Sequence, residues 1–501
     1  MHFGVNLCNF AIVLQFCMNT MEGKYIQRDM TAAIQEAASY FSVITVTGPR
    51  QSGKTTMLRH LFSHLAYYSL ENLDVRSFAE QDPVAFLNQH EEGMILDEVH
   101  NVPRLLSYIQ GIVDENPERR FILSGSSQFS LLKKVTQSLA GRTAVFELLP
   151  MAYTEIRHLV ESKTIDELLL GGFYPAVWGG RNIPSLLYPA YLRTYIDKDV
   201  RDLLQIRDMM QFHTFLGLCA GRIGSVFKAS ELANEVGVSV HTITAWLSVL
   251  QASYIVTLLP PYFENTRKRL TKSPKLYFVD TGLACHLLGI ETVEQLARDK
   301  MRGALFENFI VMEALKYRYN LGREGNLYFY RDSHQNEIDL VIKKPEGLYG
   351  VEIKSAMTYH ADFEKTLRQM AQWVHEPVVG RAVVYTGTLE NAQGIVRLLN
   401  YRNINSVLCE TKNNNDMSLD ELQQKVIAEY DSRNLKSSVR YNQLEYIVDY
   451  LKKQYGNSVD CLSRGKEILK EEYRQYREKE GLSGAEKSAF NEMYNQWEKS
   501  K

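Results

Sequence analysis

The stretch Gly48-Pro-Arg-Gln-Ser-Gly-Lys-Thr55 decides the fold. It fits G-x-x-x-x-G-K-[ST] and lies between the two elements that this pattern needs. Ahead of it, Val43-Ile-Thr-Val-Thr47 is an apolar, β-branched run that reads as a strand. Behind it, Met57, Leu58, Leu61, Phe62 and Leu65 recur at helical spacing. The glycines let the backbone curl so that successive N–H groups face phosphate oxygens, and the following helix presents its positive end. Lys54 then reaches the outer phosphates and Thr55 holds Mg²⁺. Gly48, Pro49, Arg50, Gln51, Ser52, Gly53, Lys54, Thr55 and Thr56 are the expected nucleotide-binding residues.

Such a loop needs an acidic strand beside it, and Gly93-Met-Ile-Leu-Asp97-Glu98 supplies one. Asp97 is expected to orient the magnesium through water and Glu98 to polarise the attacking water. Phe121-Ile-Leu-Ser-Gly-Ser126-Ser127 reads as another buried strand, its tip placing the Ser126 hydroxyl beside the γ-phosphate. In Ser138-Leu-Ala-Gly-Arg142, the arginine can stabilise phosphate charge in cis, or across a subunit boundary in a homo-oligomer; the other reading is a surface ion pair. Lys54, Glu98 and Arg142 form the expected catalytic set here. Strands alternating with helices, as with Pro103 to Val113, predict a parallel, doubly wound sheet with nucleotide at the carboxyl ends of its strands.

A chain of 501 residues is too long for a single hydrophobic core, so several domains follow. A net charge of −2 gives no global field for nucleic acid, and any such role must rest on local patches. The cysteines at 8, 17, 219, 285, 409 and 461 lack ligand spacing, which argues for a reducing, cytoplasmic setting and against a structural zinc. No apolar run reaches the length of a membrane span. Cys8 to Met18 is the nearest, without a Lys or Arg ahead of it or a convincing cleavage site, so residues 1–20 read as a loose extension and the folded chain as beginning near Met21.

From Tyr153 to Leu204 the pattern is mainly helical. Ala229 to Gly237 and Val240 to Leu250 then form a helix-turn-helix: Ser230 and Ser239 are placed to cap, Gly237 to terminate, and Ile243, Trp246, Leu247 and Leu250 to bury. Tyr254–Leu259 and Lys275–Val279 are candidate strands of a wing, separated by a basic tract counted as Arg267, Lys268, Arg269, Lys272 and Lys275. DNA contact through His241, Thr242, Thr244, Arg267, Lys268 and Arg269 is one reading. A protein-binding module, or a lid over the ATPase, is the other.

In the third region a helix from Gly303 to Lys316 carries Glu307, followed by strands Leu327–Arg331, Glu337–Lys343 and Gly347–Lys354. On the last strand Glu352 and Lys354 share a face. With Asp339 one strand earlier this is the pattern of a PD-(D/E)xK nuclease site: Glu307, Asp339 and Glu352 to bind Mg²⁺, and Lys354 to activate the attacking water. The competing reading is a sheet with charged residues on its exposed face. After Arg402 an asparagine-rich linker leads into a polar helical tail, read as an appendage or partner-binding segment.

Taken together, these motifs resemble the prokaryotic AAA-type ATPases in which a P-loop domain precedes a winged-helix and PD-(D/E)xK-like domain of uncharacterised function. The resemblance covers roughly Tyr25 to Tyr401, in Gly48–Thr55, Ile95–Pro103, Phe121–Ser126, Ser138–Arg142, Lys275–Leu283, Asn336–Asp339 and Val351–Lys354. It implies ATP binding with Mg²⁺ in the first module and a restriction-endonuclease-like α/β fold in the third, without a settled cellular role. The tract before Met21 and the tail after Arg402 lie outside it. The expected organisation is a loose extension (1–20), an ATPase domain with an AAA-like parallel sheet (21–160), a helical linker with winged helix (161–295), a nuclease-like domain (296–402) and a helical tail (403–501). The expected function is ATP-dependent control of the winged helix and the nuclease-like module; its rival is a nucleotide-gated scaffold that keeps the nuclease fold only for binding. A third class, a kinase or acyl hydrolase, is disfavoured, since neither G-x-S-x-G nor a His-Glu metal motif occurs.

Overall fold

The computed structural model describes residues 25–126, 138–180, 183–196, 209–263, 273–332, 334–391 and 394–408. The chain divides into two compact units, Met1–Leu408 and Cys409–Lys501, the second of which lies outside the described residues. Also outside are the 1–20 extension, Ser127, and the basic tract containing Arg267, Lys268, Arg269 and Lys272.

The first sheet contains β1 (Val43–Thr47), β2 (Ala66–Ser69), β3 (Gly93–Asp97), β4 (Arg120–Gly125) and β5 (Thr143–Glu147), in the order β2-β3-β4-β1-β5. Every pairing is parallel. All five residues of β1 are buried, as a central strand covered on both faces requires. The parallel register gathers the carboxyl ends of β1, β3 and β4, so Gly48, Asp97 and Ser126 meet at one rim. The helix after the loop runs from Lys54 to Leu61, shorter than the apolar spacing predicts; Phe62 leaves helical geometry, yet it and Leu65 remain buried. Strand β5 has a mostly half-buried pattern with little apolar alternation, which is why sequence spacing did not expose it.

In the middle region, helices Ala229–Val236 and Val240–Ala252 flank a turn at Gly237, whose φ of 77° is the left-handed conformation that ends the first helix. Ser239 caps the second helix through the Thr242 N–H at 3.1 Å. Ser230 does not cap the first, because that helix begins at Ala229 and Ser230 lies inside it. Trp246 is buried against Phe212 and Phe215, each with ring centroids 5.5 Å away. Behind them β6 (Val256–Leu259) pairs antiparallel with β7 (Lys275–Phe278). β6 starts later than expected because Tyr254 has a φ of 56°, which a strand cannot contain.

The last sheet runs β12-β11-β10-β9-β8, from β8 (Leu327–Arg331), β9 (Glu337–Lys344), β10 (Gly347–Lys354), β11 (Val378–Tyr385) and β12 (Arg397–Asn400). The β8–β9–β10 pairings are antiparallel and the β10–β11–β12 pairings parallel. The helix Arg302–Asn320 packs beneath this sheet and against the middle region, in one apolar core that reaches from Met151 to Leu408. That helix is buried on most sides, so its polar residues must find partners inside. Asn308 does so by accepting from the Phe278 N–H at 2.7 Å and donating to the Phe278 carbonyl at 2.8 Å.

Candidate functional site

The loop between β1 and its helix has the geometry that phosphate binding needs. Gly48 has a φ of 145°, and a Cβ there would stand 2.1 Å from the Leu148 carbonyl oxygen. Gln51 and Gly53 also take positive φ, at 62° and 93°, which turns the chain before the helix begins at Lys54. Lys54 is buried and donates to the carbonyls of Gly48 and Pro49, each at 2.8 Å. Burial pulls its ammonium down to about 8, against the opposing pull of Glu98 and Asp97. Among the described residues Ser52 Oγ, which is buried, has no hydrogen-bond partner. Arg50 is half-buried and Thr56 exposed.

Thr55 Oγ1 donates to Asp97 Oδ2 at 2.8 Å, which joins the two expected magnesium residues. Asp97 also accepts from Tyr67 at 2.9 Å and from Ser124. Neither residue was singled out from sequence; both face Asp97 because β2 and β4 flank β3 in the sheet. Glu98 has a φ of 53° and accepts from the Ser126 N–H at 3.0 Å and its hydroxyl at 3.2 Å. His100 Nδ1 lies 3.0 Å from the same carboxylate. Burial works against the Glu98 charge, but His100, Lys54 and the Ser126 N–H outweigh it and hold the carboxyl down at about 2. The loop residues, Thr55 with Asp97, and Glu98 with Ser126 thus fit a magnesium-bound nucleotide. Arg142 forms an exposed two-pronged pair with Asp114, at 2.5 and 2.9 Å.

Arg28 is the main residue that motif reading missed. Only 3% exposed, it donates to the Ser52 carbonyl at 2.6 Å, the Leu149 carbonyl at 2.7 Å and Glu155 Oε1 at 3.0 Å. Glu155 in turn accepts from the Ala152 N–H at 2.7 Å. The adjacent Tyr153 N–H donates to Glu313 at 2.7 Å, and Lys316 donates to the Met151 carbonyl at 2.8 Å and to Glu313 at 2.9 Å. A polar path therefore runs from the phosphate loop through Arg28 and Glu155 to the Arg302–Asn320 helix. No local sequence signal marks it, because its members are far apart in the chain.

That helix also carries Glu307. Glu307 Oε1 accepts from Tyr277 at 2.6 Å and Lys275 at 3.1 Å. Lys275 also pairs with Glu337 at 2.6 Å. Asp339 Oδ2 accepts from the Ile353 N–H at 2.8 Å and lies 3.5 Å from Lys354 Nζ. Lys354 donates to Glu352 at 2.5 Å, and Thr366 donates to the other Glu352 oxygen at 3.2 Å. Burial, then the Asp339 charge, raise both Glu307 and Glu352 to about 7. The expected ligands Glu307, Asp339 and Glu352 and the expected catalytic Lys354 thus lie in one charged network. Yet among the described residues no group of three or more His, Cys, Asp or Glu is arranged to hold a metal ion. Their oxygens already face ammonium, hydroxyl and amide donors, so as arranged they do not fit Mg²⁺.

Lys275, counted by sequence among the basic residues of the wing, is 2% exposed and turned inward, which removes it from any outward-facing patch. His241 and Thr244 are exposed, while Thr242 is half-buried and its hydroxyl lies 2.8 Å from the Ser239 hydroxyl. Asp280, in the Lys275–Leu283 motif, is buried: it caps the next helix through the Leu283 N–H at 3.0 Å and binds the Phe173 N–H at 2.6 Å. No helix among the described residues is long and apolar enough to cross a membrane.

Comparison with known proteins agrees with the loop geometry. Residues 40–157 match an AAA domain, while residues 162–294 and 302–404 match two domains of unknown function. An uncharacterized protein of Mycobacterium tuberculosis is 31% identical over 341 residues, covering 66% of this chain and 74% of that protein. An uncharacterized protein of Haemophilus influenzae is 22% identical over 340 residues, covering 62% and 81%. Among solved structures, a Walker-type ATPase of Pyrococcus abyssi has a TM-score of 0.37 at 12% identity, covering 54% of this chain and 97% of that one. The chain belongs to the same family as the Mycobacterium tuberculosis protein, and its first module is an AAA-type P-loop ATPase domain.

Proposed function

We propose that the protein hydrolyses ATP with Mg²⁺ in the Gly48–Thr55 loop, and that nucleotide state there controls a DNA-contacting winged helix and a nuclease-like module. Thr55 and Asp97 would hold the magnesium, which supplies charge neutralisation at the phosphates when bound. Lys54, now on the Gly48 and Pro49 carbonyls, supplies the ammonium that phosphate oxygens recruit. Glu98 is charged at working pH and orients water, while Ser126, bonded to it, couples that carboxylate to the phosphate end of the site.

The observation that carries the control reading is the path from the Ser52 carbonyl through Arg28, Glu155 and Glu313 to the helix bearing Glu307. A loop that changes shape around phosphates pulls on a carbonyl held by this path. The test is ATP turnover by wild type, Lys54→Ala and Arg28→Met, each with and without DNA. Control predicts DNA stimulation in wild type, none in Arg28→Met that still binds ATP, and no nucleotide binding in Lys54→Ala. Equal DNA response in wild type and Arg28→Met would remove the path from the account.

A second reading is favoured by the paired state of the acids: the nuclease-like module binds without cleaving. DNA cleavage in Mg²⁺ or Mn²⁺ that Lys354→Ala abolishes would exclude it, whereas equal inertness of both proteins on a broad substrate panel would support it.

A further inference from the structure

We propose that the Lys275 ammonium is the resident cation of the Glu307 cluster, reaching from β7 to seat itself between Glu307 and Glu337 and so taking up the one expected ligand that the helix supplies. The inference deepens the reading of the third module as nuclease-like in fold, and it rests on that reading without depending on ATP hydrolysis.

Lys275 and Tyr277 are two residues apart on a strand, so both project to the same face of β7. Both end on Glu307 Oε1, at 3.1 and 2.6 Å. The lysine continues to Glu337 at 2.6 Å and lies 5.4 Å from the Phe329 ring centroid. At 2% exposure an ammonium is expensive to bury unless several acceptors surround it. The cluster provides them from two elements of the third region, the Arg302–Asn320 helix and β9.

Access from another side is closed by the Gly224 turn. Gly224 has a φ of 72°, and a Cβ there would stand 3.2 Å from Glu307 Oε1. The Gly224 N–H is bonded to the Leu276 carbonyl at 2.9 Å, which ties the turn to β7. Across the cluster Lys354 occupies Glu352 and approaches Asp339. Mg²⁺ requires near-octahedral oxygen ligands at short range and gives up its waters reluctantly. An ammonium already seated on Glu307, with Lys354 on Glu352, leaves that geometry without its carboxylates. Binding of a divalent ion therefore requires Lys275 to leave, which joins the state of the antiparallel β6–β7 pair to the chemistry of the acids.

Manganese titration of the full chain without nucleotide, with free Mn²⁺ read by electron paramagnetic resonance, tests this. Wild type and Glu307→Gln should bind Mn²⁺ identically. Lys275→Met should gain one Mn²⁺ site that wild type lacks, and Lys275→Met with Glu307→Gln should lose it. Circular dichroism and melting establish that each variant is folded, with Lys275→Gln as the alternative if the methionine variant is not. A wild-type site that Glu307→Gln removes would overturn the proposal, and so would a folded Lys275 variant that gains none. If neither Lys275 variant folds, the wild-type and Glu307→Gln pair still decides it. An inactive ATPase would leave every one of these outcomes unchanged, so failure here is separable from failure of the nucleotide reading.

Discussion

The Thr47 hydroxyl lies 2.8 Å from the Tyr254 hydroxyl, across 207 residues of chain. Thr47 ends the strand that feeds the phosphate loop, and Tyr254 is the buried, positive-φ residue that leads into β6. Burial, and then the neighbouring Glu147 carboxyl, push the phenol well above its usual range, so it remains protonated and can donate. The rim of the ATPase sheet and the helix-turn-helix region are thus joined at the residue before Gly48.

Tyr254→Phe should remove this link with little change in shape. Thr47 keeps a contact with the Phe146 carbonyl at 3.3 Å while the buried Glu147 carboxyl loses its bond to the phenol, so the expected loss is about 1–3 kcal/mol of stability. Chemical denaturation would measure it. ATP affinity should be unchanged while any DNA response of turnover falls; an unaltered response would confine Tyr254 to packing.

Arg28→Met should be far more costly. It leaves Glu155 buried without its cation and frees the Ser52 and Leu149 carbonyls, a change of about 3–5 kcal/mol by analogy with broken buried pairs. Arg28→Lys should recover only part, because one ammonium cannot reproduce the three-way fork. Melting and nucleotide titration of both variants would check the order wild type, lysine, methionine.

Lys54 makes nucleotide binding depend on pH. With its ammonium depressed to about 8, the free protein loses that charge as pH rises through this value, whereas phosphate contact requires it. ATP affinity should fall roughly tenfold per unit above about pH 8, with proton uptake on binding. Calorimetry at pH 8.5 in buffers of different ionisation enthalpy would detect that uptake. The sign for stability is opposite: between about 8 and the ordinary lysine value of 10.5 the unfolded chain binds more protons than the folded one, so this group makes the free protein more stable as pH rises.

Glu98→Gln should bind ATP and fail to turn it over, with kcat lower by about 10²–10⁴. Because the wild-type carboxyl titrates near 2, the pH–rate profile should show no acid limb from Glu98 between pH 5 and 8. An acid limb in that range that disappears in Glu98→Gln would show the group to titrate higher than its hydrogen bonds imply.

Some of this was legible from the chain alone because its causes are local. Gly48, Gly53, Lys54 and Thr55 lie in one turn and Asp97 with Glu98 at one strand end, so spacing and residue type specify their chemistry. The Gly237 turn and the buried face of Ile243, Trp246, Leu247 and Leu250 were equally readable, since helical period and a left-handed glycine are short-range facts. Strands β5, β11 and β12 were not: edge and mixed positions bury residues irregularly and leave no clean alternation.

The sequence by itself determined the phosphate loop, the acidic strand and the presence of Asp339, Glu352 and Lys354, because each is written in a few consecutive residues or one strand. Only the tertiary structure decided what surrounds them. Arg28 meets Glu155 across 127 residues, and Lys275 leaves the expected basic surface to be buried between Glu307 and Glu337. The physical reason is shared: a buried charge is stabilised only by partners that folding brings to it, and neither periodicity nor motif spacing records which ones arrive.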